Sequence, residues 1–172
     1  VYATTVEDVK GKSILVLGCG PQGLFAIAVA KASGARIIIA LEASPFRRTM
    51  AKRMGADIVL NPFSGDPLGS VLKALKGDGG VDVTLEMSGS PQAVDLGLKA
   101  LRSGGRLTAF GIPSKELSVD WAKYIVFKGI RVYGIAGREI YRTWARMDDL
   151  LRSRAIKVDS VVTHRFALKD FK

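Results

Sequence analysis

The chain has one cysteine and one histidine in 172 residues. A single cysteine excludes an internal disulfide and suits a reducing, cytoplasmic setting. Cys19 and His164 are its only soft metal ligands, whereas a catalytic zinc ion takes three protein ligands. No metal site and no catalytic set is therefore expected within this stretch. Cys19 reads as a small turn residue and His164 as a packing residue. No apolar run reaches the ~18 residues of a membrane span, and the first residues lack the basic and apolar regions of a signal peptide. The chain opens on Val1 rather than Met, so a longer parent chain is expected. Repeats, low-complexity tracts and flexible linkers are missing too.

Acid is scarce: 16 Asp and Glu stand against 26 Lys and Arg, a net charge of +10. That balance raises the question of nucleic acid. The basic residues are scattered, however, and aromatics make up only 8% of the chain. The regular basic–aromatic interleaving of a stacking platform is not there. Neither nucleic acid nor a membrane is expected as a partner. Attraction of an anionic cofactor is the more economical use of the charge.

What is present is alternation. Apolar strand-like runs at Ser13–Leu17, Arg36–Leu41, Ala56–Leu60, Val81–Glu86, Arg106–Phe110 and Ile130–Tyr133 are separated by helical stretches. Those stretches are about Gln22–Ala32, Ser44–Met54, Pro67–Leu75, Ser90–Leu101 and Glu139–Arg152, with a short helix over Trp121–Phe127. Gly34 and Gly55 read as stops, Ser44-Pro45 and Ser90-Pro91 as helix starts, and Ser103-Gly104-Gly105 as a turn. Six strands so connected predict an α/β fold with a doubly wound, six-stranded parallel sheet in the order 3-2-1-4-5-6. In that order the loops after the first and fourth strands flank one crevice.

Gly18-Cys19-Gly20-Pro21-Gln22-Gly23 follows the first strand directly. This G-x-G-x-x-G spacing between strand and helix is the turn of a Rossmann fold. One glycine makes the bend, one admits a diphosphate and one lets the helix pack closely. Glu42 ends the second strand, where a carboxylate can accept both ribose hydroxyls and repel a 2′-phosphate, which favours NAD over NADP. Arg47 opens the next helix and can stack on adenine, although Arg47 and Arg48 together keep a 2′-phosphate in view. Ser88 lacks a histidine base in its motif, so Ser88-Gly89 reads as a small wall beside the cofactor.

Several segments together resemble the cofactor domain of zinc-dependent medium-chain alcohol dehydrogenases, most of all the branch that oxidises the secondary alcohol of L-threonine. They are the glycine turn, Leu85-Glu86-Met87-Ser88-Gly89, Phe110-Gly111-Ile112-Pro113, Gly134-Ile135-Ala136-Gly137-Arg138 with Thr143-Trp144, and Val162-Thr163-His164-Arg165-Phe166. The resemblance implies that Gly18, Gly20, Pro21, Gln22 and Gly23 hold the diphosphate, and that Glu42 and Arg47 hold the adenosine. It implies that Phe110, Gly111, Ile112, Ile135 and Ala136 line the nicotinamide. Zinc would belong to a catalytic domain missing from this chain, which makes that domain an expected partner. By the same likeness, residues 1–12 are a lead-in from that domain, 13–154 the NAD-binding domain and 155–172 a truncated return. The isolated domain would then be inactive, and the apolar edge at Ile130–Tyr133 suggests a homo-oligomer. Other alcohol or polyol dehydrogenases and a free-standing NAD(H)-responsive module remain alternatives. A methyltransferase using S-adenosylmethionine would need a late antiparallel hairpin, and the sequence offers none.

Overall fold

A computed structural model describes residues 1–170; Phe171 and Lys172, the end of the expected return segment, lie outside the described residues. Its centre is a six-stranded, all-parallel sheet in the order β3-β2-β1-β4-β5-β6. The strands are β1 Ser13–Leu17, β2 Ile37–Leu41, β3 Ile58–Leu60, β4 Val81–Glu86, β5 Leu101–Ala109 and β6 Arg131–Gly134. The helices are α1 Tyr2–Thr5, α2 Pro21–Ala32, α3 Pro45–Arg53, α4 Pro67–Ala74, α5 Pro91–Ala100 and α6 Arg142–Arg152.

β1 sits at the middle of the sheet and is buried along its whole length. Parallel sheets are covered on both faces, so their central strands are apolar throughout. Alternate residues of β1 feed two separate cores. Ile14 and Val16 join Ile27, Ile38 and Met50 on one face. Leu15 and Leu17 join Ile39, Val71 and Leu98 on the other.

Helices α3, α4 and α5 begin alike, with a capping side chain followed by proline. Ser44, Asp66 and Ser90 each accept from the backbone nitrogen three residues on, at Arg47, Gly69 and Ala93. Each cap satisfies one of the free amides of a first helical turn. α2 departs from this pattern. It starts at Gly20-Pro21 with no side-chain cap.

The starts expected for the fifth strand and the last helix need correction. β5 begins at Leu101, not Arg106, and takes up Ser103-Gly104-Gly105 as a bulge, because its register against β4 shifts between Val81 and Val83. The last helix begins at Arg142, not Glu139, since Tyr141 has φ +67° and cannot be helical. The short helix expected over Trp121–Phe127 is present at Ala122–Val126 as a wide π-type turn, with Phe127 N bonded to Ala122 O. α1 was not anticipated, and it carries a buried residue, Thr4, whose carbonyl accepts from the buried Arg106. Among the described residues no helix is long and apolar enough to cross a membrane.

Candidate functional site: a crevice at the carboxyl edge of the sheet

The glycine turn joins β1 to α2 at the carboxyl edge. Gly18 has φ +88°, and its amide donates to Leu41 O of β2 at 2.9 Å. A Cβ on Gly18 would lie 2.8 Å from the Cβ of Ser88. The loops after β1 and β4 therefore touch, as the strand order requires. A Cβ on Gly23 would lie 2.0 Å from Gly18 O, so only glycine lets α2 come this close to the turn. Gly20 is different: no heavy atom lies within 4 Å of where its Cβ would be. The uncapped first turn of α2 opens beside that space, with Pro21 and Gln22 exposed. Free amides and the positive end of a helix dipole suit an anionic group.

Glu42 follows β2 immediately and is 7% exposed. Its carboxylate accepts from Cys19 N at 2.7 Å and from Ser44 N at 2.8 Å. It thus ties the glycine turn to the start of α3 while keeping further lone pairs. Arg48 is committed to the Glu42 and Ala43 carbonyls, whereas Arg47 is exposed in the first turn of α3. Burial, with the Glu42 charge adding to it against Arg47, pushes the Cys19 thiol up to about 12. Cys19 is a packed, unreactive residue of the turn.

Beyond β1, a residue that sequence reasoning passed over organises the loops. Glu86, at the end of β4, is fully buried. Its carboxylate accepts from Ser88 N, Ser88 Oγ and Gly89 N at 2.8, 2.6 and 3.0 Å. Its main-chain oxygen accepts from Phe110 N and Gly111 N, both at 3.0 Å. A signal existed in the sequence, since Glu42-Ala43-Ser44 and Glu86-Met87-Ser88 place Glu and Ser identically after two strands. A Cβ on Gly111 would sit 2.2 Å from Gly89 N, and one on Gly89 would sit 2.4 Å from Ile112 O. The β4 and β5 loops are thus in backbone contact. Ile112 is 90% exposed. Ile135 N donates to Ala109 O at 2.9 Å, which brings Ile135 and the exposed Ala136 to the same edge. Gln22, Met87, Phe110, Arg138 and Thr143 line a cavity of about 260 Å³ against α1.

These features fit a dinucleotide in chemistry: open amides at one turn, a carboxylate one strand away, and small residues and a cavity on the far side. They do not fit a metal ion. Among the described residues no three His, Cys, Asp or Glu side chains gather. His164 is not packed as expected but exposed, bonded to Thr163 Oγ1 and stacked on Phe166 with ring centroids 5.9 Å apart.

The zinc-binding dehydrogenase family model matches residues 21–153. L-threonine 3-dehydrogenase of Thermococcus kodakarensis is 44% identical over 158 residues, 92% of this chain and 45% of that protein. Among solved structures, an alcohol dehydrogenase from Thermotoga maritima superposes with a TM-score of 0.85 at 26% identity, over 95% of this chain and 47% of that one. 2R,3R-butanediol dehydrogenase from Bacillus subtilis superposes with a TM-score of 0.82 at 29% identity, over 92% of this chain and 45% of that one. The chain spans about half the length of the curated relatives it matches.

Proposed function

The chain belongs to the zinc-binding dehydrogenase family, and from that premise we propose that it binds NAD(H) for hydride transfer to or from an alcohol. The observation that carries the preference for NAD(H) is Glu42: a buried carboxylate bonded to Cys19 of the glycine turn. A carboxylate there attracts two ribose hydroxyls and repels a 2′-phosphate. Arg48, one of the two cations that could welcome that phosphate, is occupied by backbone carbonyls, and Arg47 is the other.

The diphosphate would lie over Gly18, Gly20 and the open turn of α2, with Pro21, Gln22 and Gly23 shaping its bed. Arg47 would lie along the adenine. Ser88 and Gly89 would wall the middle of the crevice. Phe110, Gly111, Ile112, Ile135 and Ala136 would frame the nicotinamide, the group that supplies the hydride-accepting chemistry when bound. What these residues do is hold, orient and partly desolvate a ligand. None is placed as an acid, base or nucleophile.

L-threonine is the proposed alcohol, on the strength of the 44% identical relative. Zinc would be held elsewhere in the enzyme, because the residues here do not fit it. This chain alone is therefore expected to bind coenzyme without turning over threonine. The exposed edge of β6, with Val132 47% exposed, supports self-association. The single buried thiol suits the cytoplasm.

Titration calorimetry with NADH and NADPH tests the central reading. Binding of NADH at least ~10-fold tighter than NADPH is expected, the scale of one charged hydrogen-bonded contact. Tighter binding of NADPH, or no binding of either, overturns it.

A further inference from the structure

We infer that Glu86 is the positioning residue that holds the two halves of the crevice in register, acting through Ser88, Gly89 and Gly111 without touching the ligand. The inference rests on the dinucleotide reading above and deepens it.

Glu86 has hydrogen-bonded partners in both loops. Its carboxylate fixes Ser88 and Gly89 of the β4 loop, and its main-chain oxygen fixes Phe110 and Gly111 of the β5 loop. Glycine packing continues the linkage in both directions. Ser88 abuts Gly18 of the diphosphate turn, Gly89 abuts Ile112, and Gly111 leaves only 2.4 Å between its would-be Cβ and Glu86 Oε2. A line of contacts thus crosses the crevice from Gly18 through Ser88, Glu86 and Gly111 to Ile112.

A buried carboxylate is a costly way to fill space, since burying a charge without a cation is unfavourable unless every lone pair is used. The carboxylate's partners here are backbone amides and one hydroxyl. An apolar side chain would fill the volume but could not turn three donors inward. The charge makes geometric sense as a clamp: it curls Ser88-Gly89 back on β4, which leaves Gly111 room against Gly89. Preorganised loops of this kind lower the ordering cost of binding.

The test compares Glu86→Gln with the unchanged chain, using NADH and AMP as probes. AMP needs the glycine turn and Glu42, whereas NADH must span both loops. Glu86→Gln should weaken NADH at least ~10-fold and AMP less than ~3-fold, because the three donors that meet at Oε1 lose a charged acceptor and the amide nitrogen is set against Gly89 N. Equal weakening of both probes, or of neither, overturns the inference. Should that variant fail to fold, Ser88→Ala keeps the carboxylate and removes one donor from an exposed position. It should weaken NADH ~3-fold and AMP by less, and unaltered NADH binding or equal weakening of both overturns the inference. Failure of the unchanged chain to bind NADH would instead fault the dinucleotide reading.

Discussion

The Glu42 carboxylate accepts a 2.7 Å hydrogen bond from the backbone nitrogen of Cys19, so one side chain spans the end of β2 and the turn after β1. Glu42→Gln keeps the size and removes the charge, leaving an amide that cannot satisfy both the Cys19 and Ser44 donors. Hydrogen bonds to charged groups contribute about 1.5–3 kcal/mol. NADH affinity should fall ~10- to 100-fold by calorimetry. The loss for NADPH should be smaller, because the repulsion of its 2′-phosphate disappears along with the attraction.

Asp82 in β4 carries a second cross-strand tie. It accepts from Ser13 N and Oγ, both at 2.8 Å, and from Arg102 Nε at 2.8 Å, which links the starts of β1, β4 and β5. Burial raises its pKa, but the Ser13 and Arg102 contacts outweigh burial and hold it below the ordinary carboxylate value. The unfolded chain therefore takes up the proton first as pH falls. The tie stabilises fully above the unfolded value of ~3.9 and is lost as pH drops through the lower folded value. Asp82→Asn should cost about 1–3 kcal/mol at pH 7. In urea titrations the gap between the two proteins should close below about pH 4.

Strand identity was the most legible part of the sequence. β1 and β4 fall where their apolar runs predicted, because a strand buried on both faces has little freedom in composition. The proline-led helices were legible for a similar local reason, the Ser44 and Ser90 caps. What the sequence concealed depends on distant partners. α1 has four residues and no periodicity of its own, and its anchor Arg106 is about a hundred positions away. Gly104-Gly105 resembles a turn locally, yet Gly104 N donates to Lys128 O at 2.7 Å and the strand runs through. In the crevice, the glycines and Glu42 stood out by spacing. Glu86 stood out less, because only the Glu-x-Ser spacing it shares with Glu42 marks a carboxylate whose partners are the backbone amides and one hydroxyl of its own loop.

Lys128 should prove to be a cap for α5. Its Nζ donates to the carbonyls of Leu98, Lys99 and Leu101 at 2.8, 3.0 and 2.6 Å, where α5 runs directly into β5. With no loop between the two elements, these carbonyls depend on a side chain from across the sheet edge. Lys128→Met keeps the aliphatic stem and removes the donors. A loss of about 1–3 kcal/mol is expected, a fall of ~2–10 °C in melting temperature for a chain of this size. NADH affinity should be unaffected, because α5 ends away from the crevice.

Two glycines three positions apart should give opposite outcomes when replaced by alanine. At Gly23 the new methyl would meet Gly18 O at 2.0 Å and Gly18 C at 3.0 Å, both backbone. α2 or the turn must move, an overpacking cost of about 1–3 kcal/mol that misplaces the diphosphate bed as well. At Gly20 the backbone has φ −63° and ψ −178°, which alanine adopts freely, and no heavy atom lies within 4 Å of the new methyl. Gly20→Ala should leave the fold intact or stabilise it by about 0.4–1 kcal/mol through the unfolded chain. The methyl would nevertheless occupy the space left for the diphosphate. Gly20→Ala is therefore expected to melt at or above the temperature of the unchanged chain and to bind NADH at least ~10-fold more weakly. A variant that melts normally and binds normally would mean that the open side of Gly20 faces water rather than coenzyme.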